Sequence, residues 1–231
     1  ASAVFPRFSF DLIYALPGQT QKMWEKELKE AVQLARGHLS LYQLTIEPGT
    51  EFYKNRVSAA NETVGAELYE TTQEIMNKAN LPAYEISNHA KKGEESLHNL
   101  IYWTGGDYLG IGPGAHGRIT HNLQTDMMHN YRDPEKWLGL TIANKFGGQK
   151  REALSGEQRR DELVLMGLRL INGISLRQFK LLTGQPLKKM LDENKVKVLT
   201  NQGYLSTNCD VFKATSSGRQ RLNAIITYLL T

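Results

Sequence analysis

The period of the apolar positions changes several times along the chain. Residues 8–15, FSFDLIYA, form an apolar run interrupted only by Asp11. That run predicts a strand buried on both faces, with Asp11 toward its C-terminal part. LPGQT turns the chain, and Trp24, Leu28, Ala31 and Ala35 then recur at helical spacing over residues 21–36, with Gly37 as the stop. HLSLYQLTIE reads as the next strand, ended by Pro48-Gly49. Asn61 is placed to cap a helix reaching about Ala79, with Val64, Leu68, Ile75 and Ala79 on its apolar face. PAYEIS and DYLGIG read as a third and a fourth strand. Strands alternating with helices predict right-handed βαβ units and a parallel sheet. A parallel sheet of about four apolar strands keeps an exposed edge, so further strands are expected upstream.

After about Arg118 the pattern becomes mainly helical. Asp133-Pro134 opens a helix through Trp137 and Leu140. Ser155 with Gln158 and Ser175 with Gln178 are spaced as capping boxes for two more, the second stopped near Gly184. Pro186 opens a helix closing near Gly203. YLST and VFKAT predict a short hairpin, and GRQRLNAIITYLL a final amphipathic helix. The order resembles a winged-helix-like module.

Charge sharpens this division. Residues 1–147 carry fourteen Lys and Arg against seventeen Asp and Glu, a net of −3. Residues 148–231 carry fourteen against seven, a net of +7. A basic half of this kind fits a solvated surface, an anionic membrane surface or nucleic acid. Nucleic acid is disfavoured because no single helix gathers a row of Arg, Asn and Gln. No apolar run approaches the length of a membrane span, and no signal peptide is recognisable. The one cysteine, Cys209, excludes an internal disulfide and a self-sufficient iron–sulfur site. A reducing, cytoplasmic compartment fits.

Residues 97–118, LHNLIYWTGGDYLGIGPGAHGR, carry the densest chemistry, with two histidines, a Tyr-Trp pair and six glycines. On a helical turn His98 and Tyr102 share one face, and Asn99 and Trp103 the adjoining one. Such a segment either ligates and stacks on a flat cofactor or forms an aromatic cluster around a hydrogen-bonded histidine. GIGPGAHG, containing His116, is neither a P-loop nor a dinucleotide fingerprint. It is either a tight sheet exit or a place of close cofactor approach. Asp11 could accept hydrogen bonds from a ribose or an ammonium group, or cap a neighbouring loop. The histidines show no metal-ligand spacing.

Taken in order, DLIYALPGQT, HLSLYQLTIEPGTEFY, YEISNHAKKG, HNLIYW and DYLGIGPGAHGR resemble the HemW haem-chaperone family. This is a radical S-adenosylmethionine family related to oxygen-independent coproporphyrinogen III oxidase. LVLMGLRLINGIS resembles the helix that opens the family's C-terminal domain. The resemblance implies an α/β fold: the C-terminal part of a partial (β/α) barrel over 1–130, then a helical winged-helix-like domain over 131–231. It implies S-adenosylmethionine contacts at Asp11 and Thr45, with His116 at the same mouth. His98, Asn99, Tyr102 and Trp103 match a haem-binding HNxxYW motif. The 4Fe-4S cluster of the family takes its ligands from a CxxxCxxC motif that lies outside this chain, so radical chemistry by this segment alone is not expected and no catalytic residue is assigned. The implied function is haem binding and delivery to an acceptor protein such as a respiratory cytochrome, working in the cytoplasm or peripherally at a membrane. The alternatives are oxidative decarboxylation of coproporphyrinogen and, from the basic tail, nucleic-acid binding.

Overall fold

The computed structural model describes every residue except Ser2. The contacts divide the chain into two compact units, residues 1–96 and 97–231.

The first unit places β1 (Asp11–Tyr14), α1 (Gln21–Leu34), β2 (His38–Gln43), α2 (Glu51–Lys54), α3 (Glu62–Lys78) and β3 (Asn88–Ala90) in that order. Thr20 and Asn61 cap α1 and α3 by accepting from the backbone N–H groups of Met23 and Val64. The sheet order is β1-β2-β3, parallel between β1 and β2 and antiparallel between β2 and β3. Alternation along the strands divides the sheet's faces. Tyr14, Leu39 and Leu41 join Trp24, Leu28, Leu68 and Met76 in the buried core. The Tyr14 and Trp24 rings stack at 5.1 Å, and the Trp24 indole N–H donates to Thr72 Oγ1 at 2.8 Å. The other face is polar. Asp11 and Ser40 are paired across it, and His38 lies between Ser9 Oγ at 2.7 Å and the Tyr84 hydroxyl at 2.9 Å.

Three expectations for this unit need correction. β1 is a strand of four residues, not of eight; within this chain it pairs only with β2, and Ile13 on it is half-exposed. Asp11 therefore opens the strand rather than lying toward its end. PAYEIS is a turn, because Glu85 Oε1 accepts from both Ser87 N and Asn88 Nδ2 and folds the segment back on itself. The third strand follows that turn and runs antiparallel, so the sheet is mixed.

The second unit begins with α4 (Leu97–Trp103) and an antiparallel meander of β4 (His116–His121), β5 (Gln124–Asn130) and β6 (Gly148–Ala153), with α5 (Pro134–Asn144) between the last two strands. DYLGIG is not a strand; only Tyr108 bridges to Arg118. The β4–β5 turn is Asn122-Leu123, both at positive φ, as a two-residue hairpin requires. Leucine is a poor residue for that role, and this hairpin carries no Asn-Gly signal in the sequence.

The remainder of the unit packs α6 (Gly156–Gly167), α7 (Leu176–Thr183), α8 (Leu187–Met190), α9 (Glu193–Asn201), α10 (Ser216–Arg219) and α11 (Leu222–Leu230) with a small sheet of β7 (Ile174–Ser175), β9 (Val211–Ala214) and β8 (Leu205–Thr207). Ser155 and Gln158 form the full reciprocal box at α6. Ser175 caps α7, and Gly184 ends it in the left-handed region. Two predicted helices are each split. Asp192 caps α9 separately from α8, and Thr215 caps the short α10 ahead of α11. The sheet β4-β5-β6 runs across residues 130 and 131, so the contacts divide the chain at Ser96 and Leu97, earlier than the composition shift does. Among the described residues no helix is long and apolar enough to cross a membrane.

Candidate functional site

HNLIYW forms the helix α4, as its spacing predicts, and no residue of that helix is fully buried. The His98 and Tyr102 rings meet edge to face at 4.8 Å, and Tyr102 meets Tyr108 at 4.4 Å. These three rings form a short aromatic ladder. His98 is exposed and makes no hydrogen bond among the described residues, which leaves its imidazole nitrogens available. Leu97 is 76% and Ile111 86% exposed, with Ile101 and Leu109 also exposed. Asn99 shares the adjoining helix face with Trp103. Trp103 is half-buried, and the guanidinium of Arg169 lies over its ring at 5.4 Å.

Side chains from α6 and α7 hold the C-terminal end of α4. The Arg159 guanidinium donates to the Gly105 carbonyl, and Gln178 Nε2 donates to the Thr104 carbonyl at 2.9 Å. Both carbonyls are orphan acceptors of a helix end. Gly105 sits at φ +69°, and a Cβ there would overlap Leu163. Behind the turn Arg118 Nε donates to Glu162 Oε1 at 3.0 Å, and Arg159 pairs with the other oxygen of Glu162 at 3.2 Å. Tyr102, Tyr108, Gly105 and Met166 complete a cavity of about 50 Å³ against this ion triad. Burial pushes the Tyr108 hydroxyl above the ordinary tyrosine range and so keeps it neutral.

The glycine-rich loop is not a cofactor cradle by its carbonyls. Asn130 Nδ2 donates to Gly110 O at 3.2 Å and to Gly112 O at 2.9 Å. A Cβ at Gly110 would collide with the His116 carbonyl, so this glycine serves the loop's own close packing. His116 is exposed and stacks on its cross-strand partner His129 at 4.3 Å. Partial burial, then the charges of His129, Arg118 and Arg132, lower the pKa of His116 below the usual histidine value.

The sequence reading missed Arg118, Arg159, Glu162, Gln178, Arg169 and Asn130. A salt bridge between residues 44 positions apart leaves no local pattern.

In the first unit Asp11 and Thr45 are both exposed. Asp11 pairs in register with Ser40, and Thr45 follows five residues later, past the end of β2. The two therefore mark opposite ends of the sheet rather than one cluster. The lone Cys209 is exposed, and its hydrogen bond to Asp210 raises the thiol's pKa. One disfavoured thiolate does not fit the ligand set of an iron–sulfur cluster. Among the described residues no three His, Cys, Asp or Glu are grouped to hold a metal ion.

Residues 154–221 match the model of the HemN C-terminal domain, the stretch that supplies Arg159, Gln178 and Arg169 around α4. The heme chaperone HemW of Bacillus subtilis is 33% identical over 93% of this chain and 56% of its own length. The chain belongs to the HemW/HemN family of radical S-adenosylmethionine proteins. Within that family, the mitochondrial radical S-adenosyl methionine domain-containing protein 1 of Danio rerio is 35% identical over 76% of this chain and 41% of its own length. The structure of coproporphyrinogen III oxidase (HemN) from Escherichia coli superposes with a TM-score of 0.72, at 15% identity, over 95% of this chain and 54% of that one. At that identity it shows the shared α/β fold alone. The chain spans about half the length of the curated HemW/HemN relatives it matches.

Proposed function

We propose that this chain carries a haem-binding surface and that the protein containing it is a haem chaperone. The observation that carries the reading is the aromatic ladder running from exposed His98 through half-buried Tyr102 of α4 to half-buried Tyr108, beside exposed Leu97, Ile101, Leu109 and Ile111. An unbonded imidazole can ligate iron while adjacent rings and aliphatic side chains cover a porphyrin face. Haem is the cargo, and an acceptor protein receives it. An anionic membrane surface would be met by the basic residues of 148–231. Asp11 is proposed to contact S-adenosylmethionine, in a protein whose cluster ligands come from elsewhere; Thr45, past the far end of β2, does not share that contact.

The coproporphyrinogen oxidase reading shares the fold. Relatives named as heme chaperones match nearly the whole chain at about one-third identity, which favours the chaperone. Haem titration tests the reading. His98→Ala should shift or abolish the Soret band of the ligated iron, while circular dichroism stays that of the parent. A variant with the parent's spectrum and affinity would place the haem elsewhere.

A further inference from the structure

The aromatic ladder accounts for the flat face of a haem but not for its two carboxylates. Arg169, just beyond the end of α6, is half-buried. Arg118, Arg159 and Arg160 of the same unit each meet an acidic side chain, whereas Arg169 forms no ion pair and no side-chain hydrogen bond among the described residues. Its Nε is buried without a partner. The Trp103 Nε1, on the ring beneath it, is also buried without a partner. Two unsatisfied donors and one uncompensated positive charge thus meet at a single place. Each unsatisfied buried donor is costly, and a half-buried cation without a counter-charge adds to that cost.

We propose that Arg169, stacked on Trp103, is a carboxylate-binding site for the propionate edge of the tetrapyrrole whose ring lies on α4. This rests on the haem reading above. A carboxylate accepts and does not donate, so it matches a donor-only site of this charge. A guanidinium fork over an indole ring is suited to bidentate capture of a carboxylate. His98 and Trp103 are five residues apart, about 7.5 Å along the helix axis and about 140° around it, so the carboxylate site lies on a different flank of α4 from the iron ligand. Trp103 then acts as a positioning residue for Arg169 and not as a second stacking plate for the haem.

The test compares haem with haem dimethyl ester, in which both carboxylates are masked. The parent chain should bind haem more tightly than the ester. Arg169→Gln should weaken haem roughly tenfold or more, leave ester binding unchanged and leave the Soret position where it was. Trp103→Phe, which keeps a ring beneath the guanidinium but removes the Nε1 donor, should weaken haem less than Arg169→Gln does, and Trp103→Leu should resemble Arg169→Gln. If Arg169→Gln fails to fold, Arg169→Lys should keep part of the preference for haem over the ester. A parent that binds haem and ester equally, an Arg169→Gln chain that binds haem as the parent does, or an Arg169→Lys chain with the parent's full preference overturns the inference alone. A parent that binds neither overturns the haem reading and the inference with it.

Discussion

His89 shows how much a single buried side chain can tie stability to pH. It is 1% exposed between β3 and α3, with Nδ1 unpartnered and Nε2 3.3 Å from Gln73 Nε2. Burial, with a smaller charge effect from His38, lowers its pKa to about 4; a backbone hydrogen bond at Ser87 opposes the shift. The unfolded chain binds the proton near pH 6.5, and the folded chain resists it until about pH 4. The unfolded state therefore holds more protons in that window, and stability rises with pH across it. Urea unfolding at pH 7.5 and at pH 4.5 should differ by roughly 2–3 kcal/mol from this residue alone. In His89→Gln that part of the difference should vanish; an unchanged slope would mean that His89 is protonated in the fold.

At the scale of elements, α4 is a short helix secured by its neighbours. Seven residues are too few for independent helicity, so its shape depends on the clasp from α6 and α7. Gly105→Ala should therefore loosen α4 by forcing Leu163 aside and straining the turn, at a cost of about 1–3 kcal/mol. Glu162→Gln removes the shared partner of Arg118 and Arg159 and should destabilise by about 3 kcal/mol. Chemical unfolding measures both, and a neutral outcome for either would mean that the clasp is not what secures the helix. Much of this was legible beforehand. The caps at Asn61, Asp133, Ser155 and Ser175 and the face shared by His98 and Tyr102 follow from local spacing. The β4-β5-β6 meander was not legible, since its turn is Asn122-Leu123 and its last strand, GQKREA, is polar and almost wholly exposed. Nor was the clasp, whose partners lie up to 74 residues apart in sequence.

For the whole molecule, the contact division matters more than the charge division. His98, Tyr102, Trp103, Tyr108 and Arg169 all lie in the unit of residues 97–231, together with every side chain that secures α4. That unit has its own core, with Leu163, Val164, Phe179, Phe212, Ile225 and Leu229 buried. Expressed alone, residues 97–231 should unfold cooperatively and bind haem with the Soret band of the longer chain. A molten chain, or a folded one that does not bind haem, would show that residues 1–96 contribute directly. The polar sheet face of Asp11, Ser40 and His38 belongs wholly to the other unit, so mutations that remove the proposed haem binding should leave the proposed S-adenosylmethionine contact at Asp11 intact.

The close fit at Gly105 also bears on how such chains can diverge. A side chain at 105 would meet Leu163 and a backbone at φ +69°, and Arg159 ties the Gly105 carbonyl to Glu162. α4 and the module behind it are therefore bound to change together. In a chimaera that takes residues 97–106 from one relative and 154–178 from another, α4 should keep its shape only where positions 105 and 163 descend from the same parent.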